Sequence, residues 1–515
     1  MKKFAAILFV LFVINEIQAQ VGIGINSPDP SAMLHVQDNG KGLLVPRMSD
    51  LQRNAVQNPA EGLLVYQTNN SKGFWYFTNG QWKNLSASNN GGKHTLYLAD
   101  DITNAEALAK IATDVGPNTQ EVRIVRCTSL TSVDLSMISN LTEIYLSGNA
   151  VLQSVNFDNL QAVDGGIYID QCPLLTSMPT PQLTKIGQST YGNYSLQVSS
   201  TGLLNLNFPI LTKAIGTIYI ASNPALTSIS IPQMTQHNLW AIINAFKIES
   251  NPSLNSITLA GLMKVGDLFI WNNINLASLN IAALTTAKNF ALYNSQMITA
   301  VSLPVLRNAT DLNFGSNSLL ANLSLPLLDT VYDGTIDISG NQSLSSISFP
   351  VLTKAGAINI QSNASLTSLS FPLLKNLTLA SNSAVSNCVS LTSLSFPMLT
   401  GIPRLIMQYN TALISVSLPA VTSIGACNIQ SNNSLTSISF DALSNIGTLD
   451  PNINFSLNKL PSLQVNYLLH KLVTVAPALT NKTIMLSQIV AAAPTGQGII
   501  DRSLLILNGN TVTTD

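Results

Sequence analysis

The segment NASLTSLSFPLL (Asn363–Leu374) returns almost unchanged as CVSLTSLSFPML (Cys388–Leu399). Both belong to a longer unit, apolar-x-apolar-x-x-Asn-x-x-Leu-x-x-apolar-x-apolar-Pro-x-Leu, which recurs along most of the chain. The Leu three residues after the Asn falls at Leu130, Leu152, Leu175, Leu204, Leu226, Leu254, Leu276, Ile298, Leu320, Leu344, Leu366, Leu391, Leu413 and Leu435. Most of these spacings are 22 residues, and longer ones mark insertions such as HNLWAIINAF (His237–Phe246).

Apolar and polar residues alternate within each unit, which predicts short strands with one buried face. Pro stops the second strand because it cannot donate to a ladder. A single unit cannot bury its own apolar face, whereas stacked units can, each strand pairing with its copy in the next coil. The fold class that follows is mainly β, a parallel β-solenoid of about 22-residue coils.

The position three before each Leu then forms an inward column: Cys127, Asn149, Cys172, Thr201, Asn223, Asn251, Asn273, Ser295, Asn317, Asn341, Asn363, Cys388, Asn410 and Asn432. An inward Asn at a turn can bond backbone groups of its own and neighbouring coils. Cys is small, tolerates burial and carries a weak S–H donor, so it can replace Asn as a rung. Cys427 falls at an apolar strand position instead. Cys127 and Cys172 are two coils apart, roughly 9–10 Å by strand spacing, beyond bridging distance. Four reduced, buried thiols are therefore expected.

Only 10% of the 515 residues are charged and the net charge is −1, which argues against a nucleic-acid partner. Lys2 and Lys3 precede an apolar run, Phe4–Ile14, and Ala19 ends a signal-peptide pattern over 1–19. That run is too short to span a membrane in the mature chain. Export is the expectation, to the cell surface or medium, with the periplasm also open.

The tract Leu-x-Leu-x-x-Asn/Cys is the leucine-rich-repeat signature. Here the next Leu comes three residues after the Asn, and SFPxLTxxG follows, so the units resemble the repeats of receptor L domains and their relatives in cell-wall proteins. The resemblance covers residues 127–460 and implies a binding surface of unspecified partner. Strand, helix and strand over 94–126 form an expected N-terminal α/β cap, with a helix near Thr103–Thr113 and Asp100–Asp101 at its N-cap. Residues 461–515 read as a C-terminal α/β cap and resemble the ending of exported bacterial leucine-rich-repeat proteins. VGIGINSPDP with GLLVYQTNNSKGFWYFTNGQW, within 20–85, resembles a head module of exported surface and tail-fibre-like proteins. Residues 86–93 read as a linker. An oligomer held by the head module follows as an expectation.

Little in the chain points to catalysis. The four His lie in four different regions without Cys or His at metal-ligand spacing, and no nucleophile elbow is present. No catalytic residue, metal site or cofactor is assigned. The outward column of the first strand is more informative, with Tyr145, Tyr168, Tyr219 and Phe269 at one phase and Trp271 and Tyr293 just beyond their strands. These six form the candidate ligand face, because aromatic enrichment marks interface cores; cross-strand packing is the competing reading. The expected function is a non-enzymatic binding or adhesion protein whose partner is a protein or glycan of a cell surface or extracellular matrix. A structural spacer or fibre component is the second reading, and a carbohydrate-active β-solenoid enzyme the third.

Overall fold

A computed structural model describes residues 20–70, 72–85, 92–189, 192–238, 244–379 and 383–515. The expected signal segment 1–19, most of the expected linker 86–93 and the middle of the His237–Phe246 insertion lie outside the described residues. The chain divides into two compact units, residues 1–91 and 92–515.

The first unit holds a parallel pair of strands, Val21–Ile23 and Leu34–Val36, and a four-stranded sheet of Arg47–Met48, Leu64–Gln67, Gly73–Thr78 and Gln81–Asn84 in that order. A short helix, Asp50–Asn54, starts at a capping box in which Ser49 and Gln52 each bond the other's backbone N–H. The helix lays Arg53 over Trp75, 3.6 Å from the ring centroid. Much of this unit's apolar surface stays uncovered, with Met33, Leu43, Leu44 and Leu51 all exposed.

The second unit is a parallel β-solenoid. Its longest ladder joins 18 strands in chain order, from Thr95–Ala99 to Thr511–Thr513, every pair parallel. Among the described residues no pairing joins Thr95–Ala99 to Thr511–Thr513, so this ladder is open at both ends. Each typical coil adds a second, three-residue strand, such as Ser368–Ser370, and a third of two residues, such as Lys354–Ala355. The third strand, formed by the LTxxG segment, has too few residues to show an alternation in the sequence.

Repeat leucines fill the interior completely, with Leu130, Leu254, Leu366 and Leu435 at zero exposure. One assignment needs correction. Leu204 is half exposed and Leu203 takes the core position, because the turn after Thr201 is one residue shorter. Phe349, Phe371 and Phe396 stack beside the leucines at 5.0 and 4.9 Å with nearly parallel ring planes. In-register coils repeat such contacts, so each new coil buries the face of the last.

The Asn column is present, and each Asn rung makes a two-point contact with the coil before it. Asn363 Oδ1 accepts the Asn341 N–H at 3.0 Å, and its Nδ2 donates to the Ile338 carbonyl at 2.8 Å. Asn149, Asn223, Asn251, Asn273, Asn317, Asn341, Asn410 and Asn432 repeat this two-point contact with the preceding coil. Asn458 adds a rung, holding the Asn432 N–H and the Ile429 carbonyl. It escapes the repeat pattern because Leu460 follows it by two residues rather than three.

Each rung relieves a strained turn. The residue before it is left-handed in every coil, with φ from +52° at Gln171 to +58° at Tyr409, and Gly148 and Gly340 at the same position. That conformation costs an L-residue about 1–2 kcal/mol. It also turns backbone N–H and C=O groups inward, where the buried carboxamide satisfies them.

Cys serves as the rung in three coils. Cys388 Sγ lies 3.7 Å from the Ile360 carbonyl and 3.6 Å from that of Ser386, and it accepts from the backbone and side chain of Asn363. Cys172 stands in the same way beneath Asn149, whose Nδ2 is 3.6 Å from the sulfur. All four cysteines are unbridged and buried. Burial pushes the Cys127 thiol up to about 11 and that of Cys427 up to about 12, so both stay protonated at neutral pH. Thiol labelling without reductant should find four reactive groups, all of them only after denaturation. Fewer than four would mean that some are bridged and the coil register is wrong.

Both ends of the solenoid are coils with helices inserted. Helix Asn104–Asp114 joins the first two strands of the long ladder, while Ser462–Thr474 and Gln497–Leu507 interrupt the last three coils. The N-cap of the first helix is Thr103, reciprocally bonded with Glu106. Asp100 is instead in the preceding turn at φ +62°, so the expectation that Asp100–Asp101 cap this helix is wrong. Thr103 wins because it has Glu three residues on, the spacing a capping box requires.

Candidate recognition face

The outer face of the long ladder is built from side chains two residues apart on each strand. Its central column runs Tyr97, Arg123, Tyr145, Tyr168, Gln197, Tyr219, Lys247, Phe269, Ala291, Asn313, Asp337 and Asn359, each paired directly with the next. The four expected aromatics therefore share one phase. Tyr97 and Arg123 extend the column into the N-terminal cap, where no repeat motif marks their phase. Trp271 and Tyr293 pair with each other one column over and are the last residues of their strands, not beyond them. The direct pairing carries the ladder one residue farther than alternation alone suggests.

These aromatics divide into two groups by what they touch. Tyr145 and Tyr168 stack on each other at 4.6 Å with ring planes 5° apart. Arg123 lies 5.7 Å from the outer face of Tyr145, and Tyr168 bonds Gln197. Tyr219 donates to Glu249 at 2.8 Å and leans on Tyr194 at 6.1 Å. Burial, then the Glu249 carboxylate, pushes the Tyr219 hydroxyl up to about 12. In this first group, rings and hydroxyls are engaged within the sheet, as cross-strand packing requires.

Phe269, Trp271 and Tyr293 form the second group. Phe269 and Trp271 lie 4.8 Å apart at 30°. Tyr293 is 43% exposed and leans across the next coil over Gly315. A Cβ on Gly315 would sit 2.8 Å and 2.9 Å from two ring carbons of Tyr293, so the missing side chain makes room for the ring. The Trp271 indole N–H and the Tyr293 hydroxyl have no hydrogen-bond partner among the described residues.

Lys247 and Glu249 border this group on one side with opposite charges. On the other side Asp337 accepts from Ser339 and from Asn359 at 3.2 Å, and Gln361 donates to Asn359. Asn313 Oδ1, beneath the Tyr293 edge, is buried without a partner.

The second sheet exposes a plane of Ser, Thr and Asn. It breaks at Met178–Pro181, where prolines replace ladder donors and leave a cleft of about 210 Å³ against Asn205 and Asn207. Among the described residues no group of three His, Cys, Asp or Glu is arranged to hold a metal. His470 meets Asp501 at 3.2 Å, but the nearby Ser503 hydroxyl is bonded to its own helix.

Comparison with known proteins agrees with the repeat reading. A family described as BspA type leucine rich repeat region matches residues 213–331 and 339–460, in six copies. A family described as phage tail like trimerisation region matches residues 22–96. No curated protein matches the chain. Among solved structures, a leucine-rich repeat protein from Bacteroides ovatus ATCC 8483 is 17% identical with a TM-score of 0.41, covering 82% of this chain and 95% of its own. One from Eubacterium ventriosum ATCC 27560 is 13% identical with a TM-score of 0.20, covering 68% and 88%.

Proposed function

From a chain that carries BspA-type leucine-rich repeats and a phage-tail-like trimerisation region, we propose an exported, non-enzymatic surface protein that binds a protein or glycan partner. The observation that carries this reading is the long in-register sheet. It holds aromatic and polar side chains in straight columns on one rigid face, which is how a solenoid presents an extended binding surface. The six aromatics of the candidate face all lie on it. On that face Glu249 accepts from the Tyr219 hydroxyl, Asp337 from the Asn359 amide, and Asp267 meets Lys288, an arrangement that supports binding over acid–base catalysis.

The uncovered apolar residues of the first unit support self-association through the region that matches a trimerisation family. Three solenoids on one head would multiply weak contacts into avidity. A spacer or fibre role is the second reading, favoured by the same head and by the rigidity of the ladder.

The test takes the full chain to immobilised matrix proteins and glycans, with product analysis alongside and sedimentation to count chains. Binding without turnover by a trimer is the expected result. A stable trimer that binds nothing would leave the spacer reading in its place, and released product would overturn both.

A further inference from the structure

We infer that Phe269, Trp271 and Tyr293 form a stacking platform for a neutral saccharide, with Asp337, Asn359 and Gln361 as its hydrogen-bonding border. This deepens the recognition-face reading and rests on it. The two aromatic groups of the face differ in a way that separates packing from recognition. The Tyr145–Tyr168 rings cover each other and Tyr219 is tied to Glu249, so their contacts are spent inside the sheet. Trp271 and Tyr293 keep their polar tips unpaired, and Tyr293 keeps much of its ring in solvent.

Gly315 is the second observation. The ring of Tyr293 lies where a Cβ would collide with it, and the neighbouring columns carry side chains at most coils. The chain thus places its smallest residue where the Cδ2–Cε2 edge of the Tyr293 ring reaches the next coil.

The chemistry of the patch selects the ligand class. Aromatic faces carry the negative side of a quadrupole, which attracts the polarised C–H groups on the flat side of a sugar ring. Free indole N–H and phenol groups, with a carboxylate two coils and amides three coils beyond Tyr293, suit the hydroxyls on its rim. Lys247 and Glu249 offset each other at the border, so nothing concentrates positive charge for an anionic glycan. An open, repeating face suits a repeating polymer.

Affinity electrophoresis of the full chain through gels containing dextran, mannan, xylan, soluble β-glucan or heparin tests the assignment. At least one neutral polysaccharide should retard the protein and shift its Trp emission. Trp271→Ala should weaken that retardation about tenfold, a 1.4 kcal/mol loss, and Gly315→Ala should weaken it by displacing Tyr293. Ser368→Ala, on the second sheet, should leave it unchanged, and unaltered melting temperatures should show all three variants folded. Retardation by heparin alone, by no polysaccharide, or by a neutral one with Trp271→Ala unaffected would each overturn the saccharide assignment. If Trp271→Ala instead abolishes capture by an immobilised matrix protein, the recognition face stands and only the ligand class falls. If neither glycan nor protein is captured, both fall.

Discussion

Replacing Asn363 with Ala is expected to cost about 3 kcal/mol, because two buried backbone groups lose their partners at once, each worth roughly 1–3 kcal/mol. Asn363 is fully buried, holding the Asn341 N–H and the Ile338 carbonyl. Water cannot reach either group to replace the amide, and Asn341 lies just after Gly340, whose φ of +73° already departs from regular strand geometry. Asn363→Cys should cost far less, about 1 kcal/mol on the same scale. Cys388 shows why: its sulfur accepts from the Asn363 backbone while reaching the Ile360 carbonyl. Urea titration of the two variants separates the cases. Equal losses would mean that the column is packing rather than a hydrogen-bond ladder.

Acidification is expected to remove stability through one residue. His237 is buried, its Nε2 3.0 Å from the Gly216 carbonyl and its Nδ1 without a partner. Asn238 contacts the ring at 3.2 Å and Phe246 packs at 5.5 Å, neither of which supports a second charge. Burial lowers its pKa to about 4, against an ordinary value of 6.5. The folded protein therefore resists the proton that the unfolded chain accepts. The stabilising contribution is complete above pH 6.5 and is lost as pH falls from there through 4, on the order of 3 kcal/mol at about 1.4 kcal/mol per unit. His237→Gln keeps a donor for the Gly216 carbonyl and has no proton to gain. Its urea midpoint should change much less than that of the parent between pH 7 and pH 4.5. Parallel declines would assign the acid sensitivity to groups other than His237.

The sequence made the solenoid legible because identical coils impose identical demands, and fourteen imperfect copies average out local ambiguity. Alternation set the phase, so Tyr145, Tyr168, Tyr219 and Phe269 could be placed in one column before any coordinates. It failed where a coil changes length. Leu204 was displaced by Leu203, and Asn458 lacked the expected spacing to its Leu. Division of the aromatic face was not legible at all. Whether a Tyr ring stacks on Tyr168 or lies over Gly315 depends on residues a full coil away, and no local periodicity records that.

The contact each Asn rung makes with the coil before it bears on how such a chain grows. The carboxamide of each Asn rung completes the turn of the coil made before it. A nascent array emerging from its N-terminal end thus always carries one unfinished turn, sealed when the next coil docks. Asn458 seals the turn at Asn432, and Gln488 then bonds the Phe455 carbonyl and the Leu460 N–H, passing the task to the terminal cap. Whole coils can be added or removed between these ends by duplication or deletion in the gene, since each brings the clasp its predecessor needs. Length then becomes a freely inherited trait of the array, adjustable without redesign of either terminus.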